Sequence, residues 1–251
     1  MLDWFRRIRK VSRKLTLPSR DASSGRSQVQ LNPQKLTPSA EIYLGQLSYL
    51  SLVTAQILEN DSVLAPSTAY RQKQLKVADV YKDRHRELTT MLSKLGKDAV
   101  DIEDRFGPRI DELFERTAGV GWHESLMRLH IVLGILEHSA SSVGKGLSSA
   151  TRNKVDDLLK RDLLAQYCST ALKSELQRSP EIAGKLAMYG RSLVADVLLE
   201  VRNSVSLAKV LTEVPTGKID KARAEFKVLE PFVSELIAAH TVRMDELGLT
   251  A

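Results

Sequence analysis

Residues 40–60 read AEIYLGQLSYLSLVTAQILEN, and their spacing predicts a helix with apolar side chains on nearly every face. Pro38 and Ser39 stand just before it, with Ser39 placed to cap it. A helix apolar all round must be covered all round, so the stretch predicts a central member of a helical bundle.

The sequence on its C-terminal side supplies the covering helices. Pro66 and Ser67 open a second helix that runs to about Leu95, with Leu75, Ala78, Leu88, Leu92 and Leu95 marking its buried side and LGKD ending it. A shorter amphipathic segment, DIEDRFGPRIDELFERTA at 101–118, bends or restarts near Pro108. Gly119 and Gly121 precede a third long helix, WHESLMRLHIVLGILEHSASSVG at 122–144. Ser149 to about Gln177 reads as a fourth, with Val155, Leu158, Leu159, Leu163, Tyr167 and Leu172 in helical period. Pro180 divides it from a fifth over 181–213, which the pattern kinks near Gly190. Pro215 and Gly217 introduce the last, from about Ile219 to Leu247, with Phe226, Leu229, Phe232, Leu236 and Ile237 inward. No strand pattern and no fixed-period repeat is present. The expectation is an all-α, antiparallel four-helix bundle with additional helices.

Composition agrees. A chain of 251 residues serves one substantial core, and its 43% hydrophobic but only 5% aromatic content leaves packing to Leu, Val, Ile and Ala. Cys168 stands alone, which excludes an internal disulfide, a thiolate cluster and a CxxC redox pair and suits a reducing compartment. The longest apolar run, IVLGIL at 131–136, is far short of the roughly 20 residues of a membrane span. No signal peptide is read at the start. The expected location is the cytoplasm, either free or peripheral at the inner face of the membrane.

The formal charge of +6 belongs to the beginning of the chain. Residues 1–30 hold eight Arg or Lys against two Asp, a surplus of six, which leaves 29 basic and 29 acidic side chains in residues 31–251. Trp4, Ile8, Val11 and Leu15 share one side of a predicted helix, with Arg6, Arg9, Lys10 and Arg13 largely on the others. This basic amphipathic segment, residues 1–15, suits docking on the body or on a partner protein, an anionic lipid surface, or nucleic acid. Residues 16–37, broken by Pro18, Gly25 and Pro33, read as a tether to the bundle domain of 38–251.

A bundle that holds two bridged metal ions needs a Glu from each of two helices and an i,i+3 Glu-x-x-His pair from each of two others, because one helical turn brings carboxylate and imidazole onto the same ion. Three positions before His85, His123, His130, His138 and His240 stand Lys82, Val120, Met127, Ile135 and Ile237; three after stand Leu88, Leu126, Leu133, Ser141 and Arg243. None is acidic, so an ordinary ligand set cannot be assembled.

The remaining candidates read mostly as structure. Glu137 and His138 follow an apolar run toward the bundle axis but diverge by about 100° around the helix. Asp196 and Glu200 share a face, with Arg202 or a basic residue of the next helix as natural partners. His85, in VYKDRHREL, reads as solvated; His123 as a cap or surface contact; His240 as the edge of the last helix; Cys168 as a small core residue. GxGxxG, Walker A, GxSxG and HExxH are all missing. No catalytic, cofactor-binding or metal-ligating residue is assigned, and no small-molecule substrate is identifiable.

Four phrases, YLGQLSYLSLVTAQILENDSVLAP, LFERTAGVGWHESLMRLHIVLGI, SPEIAGKLAMYGRSLVADVL and AAHTVRMDELGL, resemble those of actinobacterial ferritin-like proteins related to the hydroxylase of 2-methylthio-isopentenyl adenosine in tRNA. The resemblance spans roughly residues 38–250 and implies a ferritin-like bundle and, in active relatives, dioxygen activation at a carboxylate-bridged diiron centre. Carried over residue by residue, it places Ser51 where relatives have a first-helix glutamate, and Val80 and Asp83 at the second helix's Glu-x-x-His. His138 falls near the third helix's acid, and Arg161 and Leu164 near the fourth helix's pair. The implied diiron pattern is therefore lost. The expected function is a structural, binding or regulatory module, alone or as a homodimer or with another protein. The alternatives are a hydroxylase-like iron oxidoreductase using Asp83, Glu137, His138 or Glu200, and a membrane-surface or RNA adaptor acting through residues 1–15.

Overall fold

Three helix starts in this protein are fixed by short polar side chains. Ser67 Oγ accepts from Tyr70 N, Ser148 Oγ from Thr151 N, and Asp98 Oδ1 from Val100 N, each taking up a main-chain donor that the first helical turn leaves free. Ser39 stands at the start of its helix without such a bond.

The computed structural model describes residues 33–205 and 218–251, and of 218–228 the main chain only. In chain order the helices are α1 (Ala40–Asp61), α2 (Thr68–Lys94), α3 (Ala99–Glu103), α4 (Gly107–Arg116), α5 (Gly121–Arg128), α6 (Gly134–Gly144), α7 (Ser149–Leu159), α8 (Leu163–Arg178), α9 (Ala183–Ser204) and α10 (Lys218–Glu246). Among the described residues there is no strand. The predicted restart near Pro108 is the start of α4, where Pro108 occupies the first turn.

α1 and α2 pack along one another as an antiparallel hairpin, closed by Ser48 against His85 at 3.0 Å. The chain then crosses over through α3 and α4. α5 and α6 run in the same direction as α2, since Trp122 meets Gln74 near one end and Glu137 meets Tyr81 toward the other. α7 and α8 return, with Leu158 beside Arg84 and Tyr167 beside Tyr70. Two antiparallel pairs joined by a crossover make the four-helix body; α9 and α10 cover its outer side.

α5 and α6 form one rod through a π-helical turn, Leu129–Leu133. Every residue from Glu124 to Leu133 is buried, packed by α8 and α9, while α2 is tied to the rod through Trp122 and Glu137 and α10 lies against α6. This rod, rather than α1, is the most enclosed element; α1 buries Leu44, Leu47, Ala55 and Leu58 but leaves Gln56 and Asn60 exposed.

Other boundaries shift as well. The predicted fourth helix is two, because Lys160–Asp162 interrupts it and Asp162 N bonds back to Lys160 O at 2.9 Å. α9 passes unbroken through Gly190, where a Cβ would come 2.5 Å from Met127 Cε; the glycine provides clearance rather than a kink. The end of the predicted tether belongs to the body: Leu36 and Thr37 are buried, and Thr37 Oγ1 donates to Val143 O at 2.6 Å. Residues 1–15, the tether to residue 32, positions 206–213 of the predicted fifth helix and the side chain of Phe226 lie outside what is described.

Candidate functional site

The inward face of α2 carries Gln74, Val77, Ala78, Tyr81, Arg84, Leu88 and Leu92. Leu75 is only half-buried and Leu95 is 46% exposed, so the face lies about one position from the one that the leucines alone suggest. The consequence falls on the expected ligand positions. Val80 is half-buried and Asp83 points outward to pair with Arg86, while the i,i+3 pair that faces the bundle interior is Tyr81 and Arg84.

Arg84 is 2% exposed. Its Nη1 pairs with Glu137 Oε1, and its Nη2 donates to Leu158 O at 3.1 Å. Tyr81 donates to the same Glu137 oxygen at 2.7 Å, and the guanidinium carbon lies 4.4 Å from the Tyr81 ring centre. The broken fourth helix makes this geometry. In a continuous helix Leu158 O would accept from Asp162 N; at the break it is a free C-terminal carbonyl, which the arginine caps. Burial pulls Arg84 down, but Glu137 and Tyr81 outweigh it and hold the guanidinium above its ordinary value. Burial, followed by Glu137, drives the Tyr81 hydroxyl well above its usual range. The phenol thus stays protonated beside the Arg84–Glu137 ion pair.

A second polar tie closes one end of the bundle. Gln74 Nε2 donates to Leu58 O at 2.9 Å, and its Oε1 accepts from Trp122 Nε1 at 2.8 Å and lies 3.1 Å from Tyr167 Oη. One side chain of α2 therefore ties it to the other three members of the bundle.

The other sequence candidates are dispersed. Ser51 is buried and its hydroxyl donates to Leu47 O within its own helix. His138 meets Glu235 of α10 at 3.0 Å near the surface. Arg161 is exposed and pairs with Glu87, and Leu164 is a core residue. Asp196 and Glu200 turn toward α4, to Arg116 at 3.2 Å and Arg109 at 3.0 Å. Burial pushes the Glu200 carboxyl up to about 7 although Arg109 and Arg116 oppose the rise. His85, read as solvated, instead lies with Nδ1 3.0 Å from Ser48 Oγ and 3.4 Å from Glu103, because the short α3 folds over it. His123 makes a surface contact, 3.2 Å from Glu175. His240 is buried rather than at an edge, and Ile237 is 42% exposed rather than inward. Cys168 is fully buried, which drives its thiol far above the usual range.

Two residues without any role in the sequence reading emerge beside the π turn. His130 is 3% exposed with neither ring nitrogen hydrogen-bonded, and burial, then Arg243, pulls it down to about 4. The Arg243 main chain is close enough to oppose that shift slightly but is out of hydrogen-bonding geometry. Arg243 lies across Gly134, donating from Nη2 to its carbonyl at 2.6 Å, and a Cβ on Gly134 would sit 2.6 Å from Arg243 Nε.

The family profile described as "Ferritin-like domain, actinomycetes" matches residues 39–217. The chain belongs to that family. No curated protein matches its sequence. The ferritin-like fold brings with it the question of a diiron centre, and the donors facing the interior of this family member do not suit one. Tyr81, Arg84 and Ser51 stand on the inner faces of α1 and α2, and the carboxylate opposite them, Glu137, already serves a guanidinium. Among the described residues no three His, Cys, Asp or Glu side chains come together in a way that could hold a metal ion. No described helix is long and apolar enough to cross a membrane.

Proposed function

We propose that this ferritin-like protein has exchanged the diiron centre for an internal ion pair and works as a structural, binding or regulatory module rather than as an oxygenase. The observation that carries the reading is the Arg84 guanidinium between Tyr81 and Glu137. A fixed cation that neutralises the inner carboxylate also opposes entry of a divalent ion by like charge. The kinship with the tRNA hydroxylase group is proposed at the level of framework phrases, without its chemistry.

Asp83, Glu137, His138 and Glu200, the set open to an atypical hydroxylase, are each committed to a separate basic or acidic neighbour. We place the protein in the cytoplasm, where its lone thiol suits a reducing setting, and assign residues 1–15 to attachment, on a protein partner first and an anionic membrane or RNA second. Its assembly is read as a homodimer or a complex with another protein.

Iron loading tests the central claim. The full chain is exposed to ferrous iron without oxygen, desalted and assayed for metal and for absorbance changes on admitting oxygen. The expected result is far less than one iron per chain. Two tightly held irons per chain with an oxygen-dependent spectrum would overturn it.

A further inference from the structure

The cleft between α6, the α7–α8 junction and α10 has a volume of about 620 Å³, and His130 lies in its wall with Glu137, Asp162 and Arg243. The polar groups here are poorly matched to one another. Both nitrogens of the buried His130 and the Nη1 of Arg243 have no hydrogen-bond partner. Arg243 and Asp162 share the cleft wall and act on each other electrostatically, yet they do not meet as an ion pair. Unpaired donors in a buried wall cost free energy that a matched ligand restores. The π turn that carries His130 is a helix irregularity of the kind that recurs at binding sites.

The signs of charge narrow the ligand. A simple anion at Arg243 would be repelled by Asp162, Glu137 and Glu246, and a simple cation at Asp162 would be repelled by Arg243. A metal ion lacks its donor set. Glu137 is held by Arg84, His138 by Glu235 and Lys160 by Asp157; Lys145 and Asp156 also line the cleft, but Arg243 and Asp162 are the opposite charges that line a second recess together with His130.

We propose that this cleft binds a small amino-carboxylate zwitterion, with its carboxylate taken by Arg243 and His130 and its ammonium by Asp162. Gly134 makes the site by letting Arg243 lie flat against α6. The assignment does not depend on whether the core takes iron.

The full chain is titrated with glycine, β-alanine, 4-aminobutyrate and 6-aminohexanoate, with acetate and methylammonium as half-probes. Binding is followed by the imidazole 15N signals of His130, assigned with H130Q, and by thermal unfolding. At least one zwitterion is expected to shift the His130 signals at millimolar concentration, about tenfold more tightly than either half-probe. D162N and R243K are each expected to weaken it by about tenfold or more. D162N keeps a side chain of the same shape at the start of α8 and keeps the test alive if R243K does not fold. The proposal fails if no zwitterion moves the His130 signals, if acetate alone binds as well as the best of them, or if D162N binds unchanged.

Discussion

Arg84 shows what a charge inside a helical bundle requires of its surroundings. A buried guanidinium is tolerable only if its charge is balanced, and Glu137 does that while Leu158 O takes Nη2 and the Tyr81 ring lies beside the group; Nε alone is left without a hydrogen bond. Removing one partner of such a pair is far worse than removing both, because a lone buried charge remains. R84M should therefore lower unfolding stability by about 3–5 kcal/mol in urea titration. The double variant R84M/E137L should recover a large part of that loss, leaving the Tyr81 hydroxyl and the Leu158 carbonyl as the residual cost. If R84M costs under about 1 kcal/mol, the pair is not what holds the interior together.

At the level of elements, α10 is the covering helix most exposed to a local change. Leu229, Phe232, Leu236 and Met244 bury against the body, and Arg243 lies over Gly134 with no room for another carbon. G134A should push Arg243 off α6 and cost about 1–3 kcal/mol by overpacking. Hydrogen exchange should locate the effect, with protection falling over residues 229–246 and unchanged in α1 and α2; a uniform change would count against a local seat. The helices themselves were legible from apolar period, proline and glycine. The facing of α2 was not, because Gln74, Tyr81 and Arg84 point inward and a hydrophobic pattern assigns such residues to solvent. The break at Lys160–Asp162 was hidden for a related reason. It contains neither Pro nor Gly, and the carbonyl it frees is satisfied by an arginine 74 positions earlier in the chain. His130 gave no signal, since a histidine in LHIVL reads as one more core position. The absence of acid–histidine pairs was plain, because spacing alone decides it.

For the whole molecule, two buried groups on different elements oppose each other in the pH dependence of stability. His130, facing Arg243 and His240 on α10 and Lys173 on α8, is lowered from 6.5 to about 4. Between those values the unfolded chain holds a proton that the folded protein refuses, so the contribution of His130 is complete above 6.5 and is lost as pH falls toward 4. Glu200 is raised from 4.5 to about 7, mainly by burial, with Arg109 and Arg116 working against it. Here the folded protein keeps the proton, so its contribution is present below 4.5 and is lost as pH rises to 7. Over pH 4.5–6.5 the two proton differences have opposite sign and nearly cancel. Urea titrations at half-unit intervals in this window should separate them. Relative to the parent, H130Q should lose stability as pH rises, and E200Q should gain it, each with a slope of up to about 1.4 kcal/mol per pH unit. In this window the folded parent's Glu200 is itself protonated, so E200Q leaves Arg109 facing a neutral side chain as before and the slope stays readable. Parallel curves for parent and variants would show that neither group is shifted by burial, and the sealed core around the α5–α6 rod would then have to be more open to water than its packing implies.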